Sequence, residues 1–270
     1  MTNHEFLFFA AALFVLWLAA QAGIRVRRWR GKLEQDDLTD LAIVVTASLT
    51  LLGLIVGLSF SMAVTRYNQR KDCEAAEANA IRTQHLRAAL LPAEEAAGVR
   101  GLLKSYLAHR VRFYLADDDG ELERIQAGAA QTATDLWDSL LPRAAAQQTS
   151  IADIAVTGVN DIWNSEGLSQ AAWYNRIPAA GWILMGSVAI CCNFLIGFIA
   201  RRPEASRKRF WILPLLVSLS FLLIADIDNP RKGAIVIYPL NLERLAASLQ
   251  RQGITERGPG QPSQPEGTLK

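Results

Sequence analysis

The 270-residue chain has few of the groups that carry most enzyme chemistry: three histidines and three cysteines. His4, His85 and His109 stand at no metal-ligand spacing, and the sequence holds neither a nucleophile elbow nor a phosphate-binding loop. An enzyme would therefore lack a catalytic constellation, and nothing in the chain calls for a cofactor or a metal. Cys191 and Cys192 sit inside an apolar run and Cys73 is alone, so there is no disulfide framework. The net charge is only +2, and no basic run is interleaved with aromatics, which excludes a nucleic-acid partner. Strand-like alternation and internal repeats are also missing.

What the chain does have is apolar mass, 51% of its residues, gathered into blocks. Phe6 to Ile24, Leu41 to Val64, Pro178 to Ala200 and Phe210 to Ile227 are each long enough, or nearly so, to cross ~30 Å of hydrocarbon. Leu41 to Val64 carries no charge at all, which favours membrane spans over buried helices of a soluble core. Ala20-Gln21-Ala22 imitates a signal-peptide cleavage site, but the basic cluster follows the first apolar run instead of preceding it.

The pattern predicts an all-α membrane protein with four transmembrane helices and a helical extramembrane domain inserted between the second and third. Residues 1–64 hold the first two spans, 65–177 the helical domain, 178–227 the other two spans, 228–252 a post-membrane segment packing on the helical domain, and 253–270 a disordered tail. Between the spans, 12 Lys/Arg face 15 Asp/Glu in an Ala-, Leu- and Gln-rich background. Breaks at Pro92, at Asp117 to Gly120, near Pro142 and around Gly167 predict helices over 65–91, 94–116, 121–141 and 150–165. Leu102, Leu103, Tyr106, Leu107, Val111, Tyr114 and Leu115 form the apolar face of one of them.

The stretch "GLIVGLSFSMAVTRYNQRKDCEAAEANAI", 53–81, passes from hydrocarbon to water with no helix breaker after Gly57. Arg70 stands four residues before Glu74, a spacing that predicts a surface ion pair supporting helix continuation. One rod of about 50 residues would join membrane to solvent, so that motion at one end reaches the other. Within the membrane, Gly53, Gly57 and Ser61 form a small-residue face suited to close helix packing. Leu51, Leu54 and Leu58 lie beside it.

The run "VGLSFSMAVTRYNQR", with Arg66 and Tyr67, resembles the second membrane helix of the bestrophins. With "EANAI" (Glu77, Asn79) and "HLRAALLP" it is similar to the bacterial bestrophin-like family of unknown function. Asp228-Asn229-Pro230 and Tyr238-Pro239-Leu240 resemble the segment after the last bestrophin helix. The resemblance implies a homopentameric ion channel of the bacterial plasma (inner) membrane, with lipid around it and small monovalent ions passing along an axial pore. Its neck would be lined by Thr50, Leu54 and Leu58, counted back from Arg66 in four-residue steps. Two leucine rings would gate by dewetting, and the Thr50 ring would be wetter than the bulky apolar side chain usual there. Where calcium-regulated bestrophins carry acidic residues after the Asn-Pro, this chain has Arg231-Lys232, which predicts no calcium clasp. The alternative is a non-conducting membrane sensor or scaffold.

Three minor sites complete the reading. Asp117 to Asp119 read as a solvated loop, Asn193 as an interhelical hydrogen-bonding group, and Asp226 and Asp228 as residues that turn the chain. Orientation is in conflict. The two short connections hold five basic residues each (Arg25, Arg27, Arg28, Arg30, Lys32; Arg201, Arg202, Arg207, Lys208, Arg209), against six on the opposite side (Arg66, Arg70, Lys71, Arg176, Arg231, Lys232). That count puts the short loops in the cytoplasm, whereas the resemblance puts the helical domain there.

Overall fold

In the computed structural model, residues 3–31, 34–146, 150–200, 211–231 and 233–256 are described. Among them every regular element is helical: α1 (Asn3–Arg30), α2 (Gln35–Arg87), α3 (Ala93–Leu115), α4 (Asp119–Ala146), α5 (Ser150–Tyr174), α6 (Ala179–Ile199), α7 (Ile212–Asp228) and α8 (Leu240–Glu256). A 3-10 turn, Ala88–Leu90, follows α2 before Pro92. Three helical stretches, Phe6–Arg30, Gln35–Leu90 and Asp153–Ile199, are long and apolar enough to cross a membrane. The last four residues of α8 fall inside the expected tail; 257–270 and the basic connection 201–210 lie outside the described residues.

The chain divides into two units, residues 1–70 with 172–237, and 71–171 with 238–270. In the first unit α1 packs along α6 and α7. Glycine makes the α1–α6 contact possible: a Cβ at Gly23 would lie 2.0 Å from the Phe194 carbonyl oxygen, and one at Gly197 2.0 Å from that of Ala20. The core gathers Leu16 of α1, Leu52 and Ala63 of α2, Met185, Ala189 and Cys192 of α6, and Val217, Phe221 and Ile224 of α7. Asn193 is buried here, but its Nδ2 donates to the Ala189 carbonyl one turn back in its own helix, not across to another.

In the second unit α3 packs on α4 and on α8. Leu103, Tyr106, Leu107 and Tyr114 of α3 are buried, as their spacing predicts, whereas Leu115 is exposed and Val99, Arg110 and Phe113 complete the inward face. Two predicted breaks are absent. Helix α4 continues through Pro142, and α5 continues through Gly167 to Tyr174, because Ser169, Ala172 and Trp173 beyond the glycine are buried. Burial of that last turn outweighs the cost of a helical glycine, about 1 kcal/mol. The acidic run does start a helix: Asp118 Oδ2 accepts the Glu121 amide at 3.0 Å, an N-cap for α4.

Candidate functional site

Helix α2 has one side turned to its own unit and one turned away. Leu52 and Ala63 are buried, whereas Asp36, Asp40, Ile43, Ala47, Thr50, Leu54, Leu58, Ser61 and Thr65 are all exposed. These positions advance in steps of three and four, and at about 100° per residue they fall within roughly 80° of arc. They form one stripe within a broader exposed face that also carries Val44, Leu51, Phe60 and Met62. Its upper half borders an open groove of about 780 Å³ lined by residues from Thr39 to Leu54.

The three expected neck residues lie on this stripe, Leu54 and Leu58 being 59% and 58% exposed. The expected packing residues lie beside or on it. A Cβ at Gly53 or Gly57 would meet nothing within 4 Å, and Ser61 is exposed, so among the described residues of one protomer no other helix packs closely on this small-residue face. Close backbone approach between helices is instead made by α1 and α6, with Gly23 against Phe194 and Gly197 against Ala20.

Where α2 leaves the apolar segment, polar side chains fix the chain ends of the first unit. Arg66 pairs with Asp228 at 3.6 Å. Arg70 is buried and donates to four backbone carbonyls: Ala172 (3.0 Å), Asn175 (3.1 Å), Ile227 (3.4 Å) and Asp228 (3.2 Å). The Asp228 carboxylate accepts the Ile177 amide, and Asp226 accepts those of Ala234 and Ile235. Asn229 Oδ1 accepts the Arg231 amide, Pro230 is buried, and the Arg231 guanidinium lies 4.6 Å from the centre of the Trp173 ring. Tyr67 packs against the core of this unit. Both aspartates therefore hold turns of backbone, as their place before Asn229-Pro230 predicts.

Arg70 and Glu74 do not form the expected surface pair, since both are buried and each has partners distant in sequence. In the second unit Glu74 takes the first turn of α8: Oε1 accepts the amides of Asn241 (2.8 Å) and Leu242 (2.9 Å), and Oε2 accepts from Asn241 Nδ2 at 2.6 Å. One α2 carboxylate thus satisfies orphan donors at the start of another helix, where the dipole also favours negative charge.

A second buried carboxylate, Glu77, is bound by Arg110 through both Nε and Nη2, and Tyr114 Oη donates to it at 3.2 Å. Arg110 Nη1 reaches Glu166 at 3.3 Å, and Glu166 also accepts from Tyr106 (2.8 Å) and Gln170 (3.1 Å). Burial works against the Arg110 charge, but Glu77 outweighs it and holds the guanidinium above its ordinary pKa. Burial, with the Glu77 charge behind it, pushes the Tyr114 phenol up, so it keeps its proton as a donor. Asn79, two residues on, is exposed. Sequence reasoning singled out Glu77 but not Arg110, whose only signal is a charged residue at core spacing between Leu107 and Tyr114.

Residues 12–242 match the bestrophin-like domain. Solved structures of the same fold include two variants of a bacterial bestrophin homolog from Klebsiella pneumoniae. A tryptophan-to-alanine variant is 14% identical over 94% of this chain and 98% of its own, with a TM-score of 0.62. A leucine-to-threonine variant is 14% identical over 93% and 99%, with a TM-score of 0.61. A structure described as a membrane protein, a proline-to-alanine variant, is 13% identical over 95% and 100%, again at 0.61. No curated protein matches the chain. With the domain match spanning nearly the whole described chain and the same fold in these structures, the protein is a member of the bestrophin-like family.

Proposed function

We propose that several copies of this chain, five by analogy with the bestrophins, surround an axial pore lined by the exposed stripe of α2, through which small monovalent ions pass passively. In this arrangement α1, α2, α6 and α7 are four spans of the bacterial inner membrane. The remaining helices and α8 stand in the cytoplasm, as in the bestrophins, against the balance of basic residues.

The observation that carries the reading is the stripe itself. Lipid tails accept Leu54 and Leu58, but Asp36, Asp40, Thr50, Ser61 and Thr65 on the same line suit a wetted surface shared among copies. Leu54 and Leu58 then form the dry constriction, where an ion loses hydration that nothing replaces, and Gly53 and Gly57 give neighbouring α2 helices room to approach. Because α2 runs unbroken from Gln35 to Arg87, the gate and the Glu74 and Glu77 contacts belong to one helix.

The test is ion flux through liposomes holding the purified protein. Leu54→Ala and Leu58→Ala widen and wet the constriction and are expected to raise conductance by about tenfold or more, a barrier change of ~1.4 kcal/mol. Wild type and both variants all remaining silent contradicts the pore.

A further inference from the structure

We infer that the ends of α2, α6 and α7 beside Arg66 and Arg176 form a binding site for the phosphate headgroup of an anionic phospholipid; the inference rests on reading these helices as membrane spans, not on the pore. Arg70 fixes the level of the three ends. Its bonds to the carbonyls of Ala172, Asn175, Ile227 and Asp228 draw the segment before α6 and the last turn of α7 to within one side-chain length of α2. The apolar part of α2 ends at Val64, α6 starts at Ala179, and α7 stops at Asp228. A bilayer that covers the apolar parts of these helices therefore has one headgroup layer at Arg66, Arg176 and Asp228.

That layer has positive charge to spare. Among the described side chains of this unit it carries Arg66, Arg70, Arg176 and Arg231 against Asp226 and Asp228, four positive charges less two negative. Both carboxylates are also engaged by backbone amides, Asp228 by Ile177 and Asp226 by Ala234 and Ile235. Arg66 Nη1 is buried and lies 3.6 Å from Asp228, beyond hydrogen-bond reach, and it has no hydrogen-bond partner among the described residues. Arg176 is exposed and forms no ion pair among the described residues. Arg66 and Arg176 both stand near enough to Arg70 to repel its charge, and a bound anion beside them offsets that repulsion. Arg70 itself is enclosed by carbonyls, so the capacity to bind belongs to Arg176, with Arg66 behind it.

The surroundings select a lipid over a free phosphate. Tyr174, two residues before Arg176, is 68% exposed, an amphipathic ring of the kind that sits at headgroup level. Beyond Arg176, Ala180, Ile183, Leu184 and Ile190 are all exposed on one face of α6. Ser187 on the same face donates its hydroxyl proton to the Ile183 carbonyl at 2.7 Å, so the face suits hydrocarbon. The first turn of α6 holds no acidic residue, so nothing there opposes a phosphate. A cation at the foot of an apolar face matches a negative headgroup carried on acyl chains.

The experiment is native mass spectrometry of the full chain in detergent, equilibrated with equal amounts of dioleoylphosphatidylglycerol and dioleoylphosphatidylcholine. Wild type is expected to retain the anionic lipid over the zwitterionic one by about tenfold, and Arg176→Gln to lose about fivefold of that preference, the ~1 kcal/mol that one basic residue contributes at an anionic surface. Arg176→Lys, which keeps the charge, is expected to hold the preference, as is Arg25→Gln, which removes an exposed charge near the other end of α1. Equal retention of the two lipids by wild type overturns the site and leaves the spans standing. So does an equal loss in Arg176→Gln and Arg25→Gln, which marks general basicity. Displacement of the retained phosphatidylglycerol by millimolar inorganic phosphate overturns the lipid assignment. A chain that stays soluble and monodisperse without detergent overturns the membrane reading and this inference together.

Discussion

Replacing Arg110 by leucine tests the buried network in the second unit, and its size follows from the contacts. Arg110 and Glu77 have no exposed side-chain surface. Arg110 supplies both of its Glu77 contacts and one to Glu166. In Arg110→Leu, Glu166 keeps Tyr106 and Gln170, but Glu77 keeps only Tyr114. Leaving one member of a buried pair uncompensated costs about 3–5 kcal/mol. For a protein of this size each kcal/mol moves the melting point by roughly 2–4 °C, so the apparent melting temperature should fall on the order of 10 °C. The assay is far-UV circular dichroism of detergent-solubilised protein at one scan rate, which keeps variants comparable if unfolding is irreversible. The double variant Arg110→Leu with Glu77→Leu removes both charges and should regain most of the loss, ending within about 1–2 kcal/mol of wild type. Equal destabilisation of single and double variants would refute the reasoning, as would a shift below 2 °C in Arg110→Leu.

Two further outcomes follow from local geometry. Gly197→Ala forces α1 and α6 apart, at about 1–3 kcal/mol, whereas Gly186→Ala on the same helix has open space and should be neutral or slightly stabilising; thermal melting separates the two, and equal curves contradict the contact. Glu74→Ala strips the start of α8 of its acceptor, at about 1–2 kcal/mol, and should speed amide exchange within α8; unchanged protection there contradicts the capping role.

The helical content and the order of apolar blocks were legible because both depend on composition and local period. The length of α2 was legible for the same reason, since no breaker follows Gly57. The ends of α5 and α4 were not, because burial of Trp173 and the stacking of Trp137 on Trp163 at 5.1 Å depend on tertiary neighbours that a lone glycine or proline does not reveal. Arg70 was misread, and Arg110 passed over, for a related reason. Charged residues with carboxylates one or two turns away read as a solvated face, yet the partners of Arg70 lie 102 to 158 residues away in sequence. Those of Arg110 lie 33 and 56 residues away. Composition gives the count of charges; only the fold decides which become internal. The stripe on α2 is the intermediate case: Thr50, Leu54 and Leu58 were placed by a four-residue step, but its extension to Asp36 and Thr65 required the exposure of each position.

The most direct measurement is an electron-microscopy reconstruction of the detergent-solubilised particle. The account predicts a ring of identical subunits with α2 nearest the axis and Leu54 and Leu58 facing an unobstructed central passage. A monomer or dimer, or a ring whose Leu54 and Leu58 face the detergent belt, would contradict it.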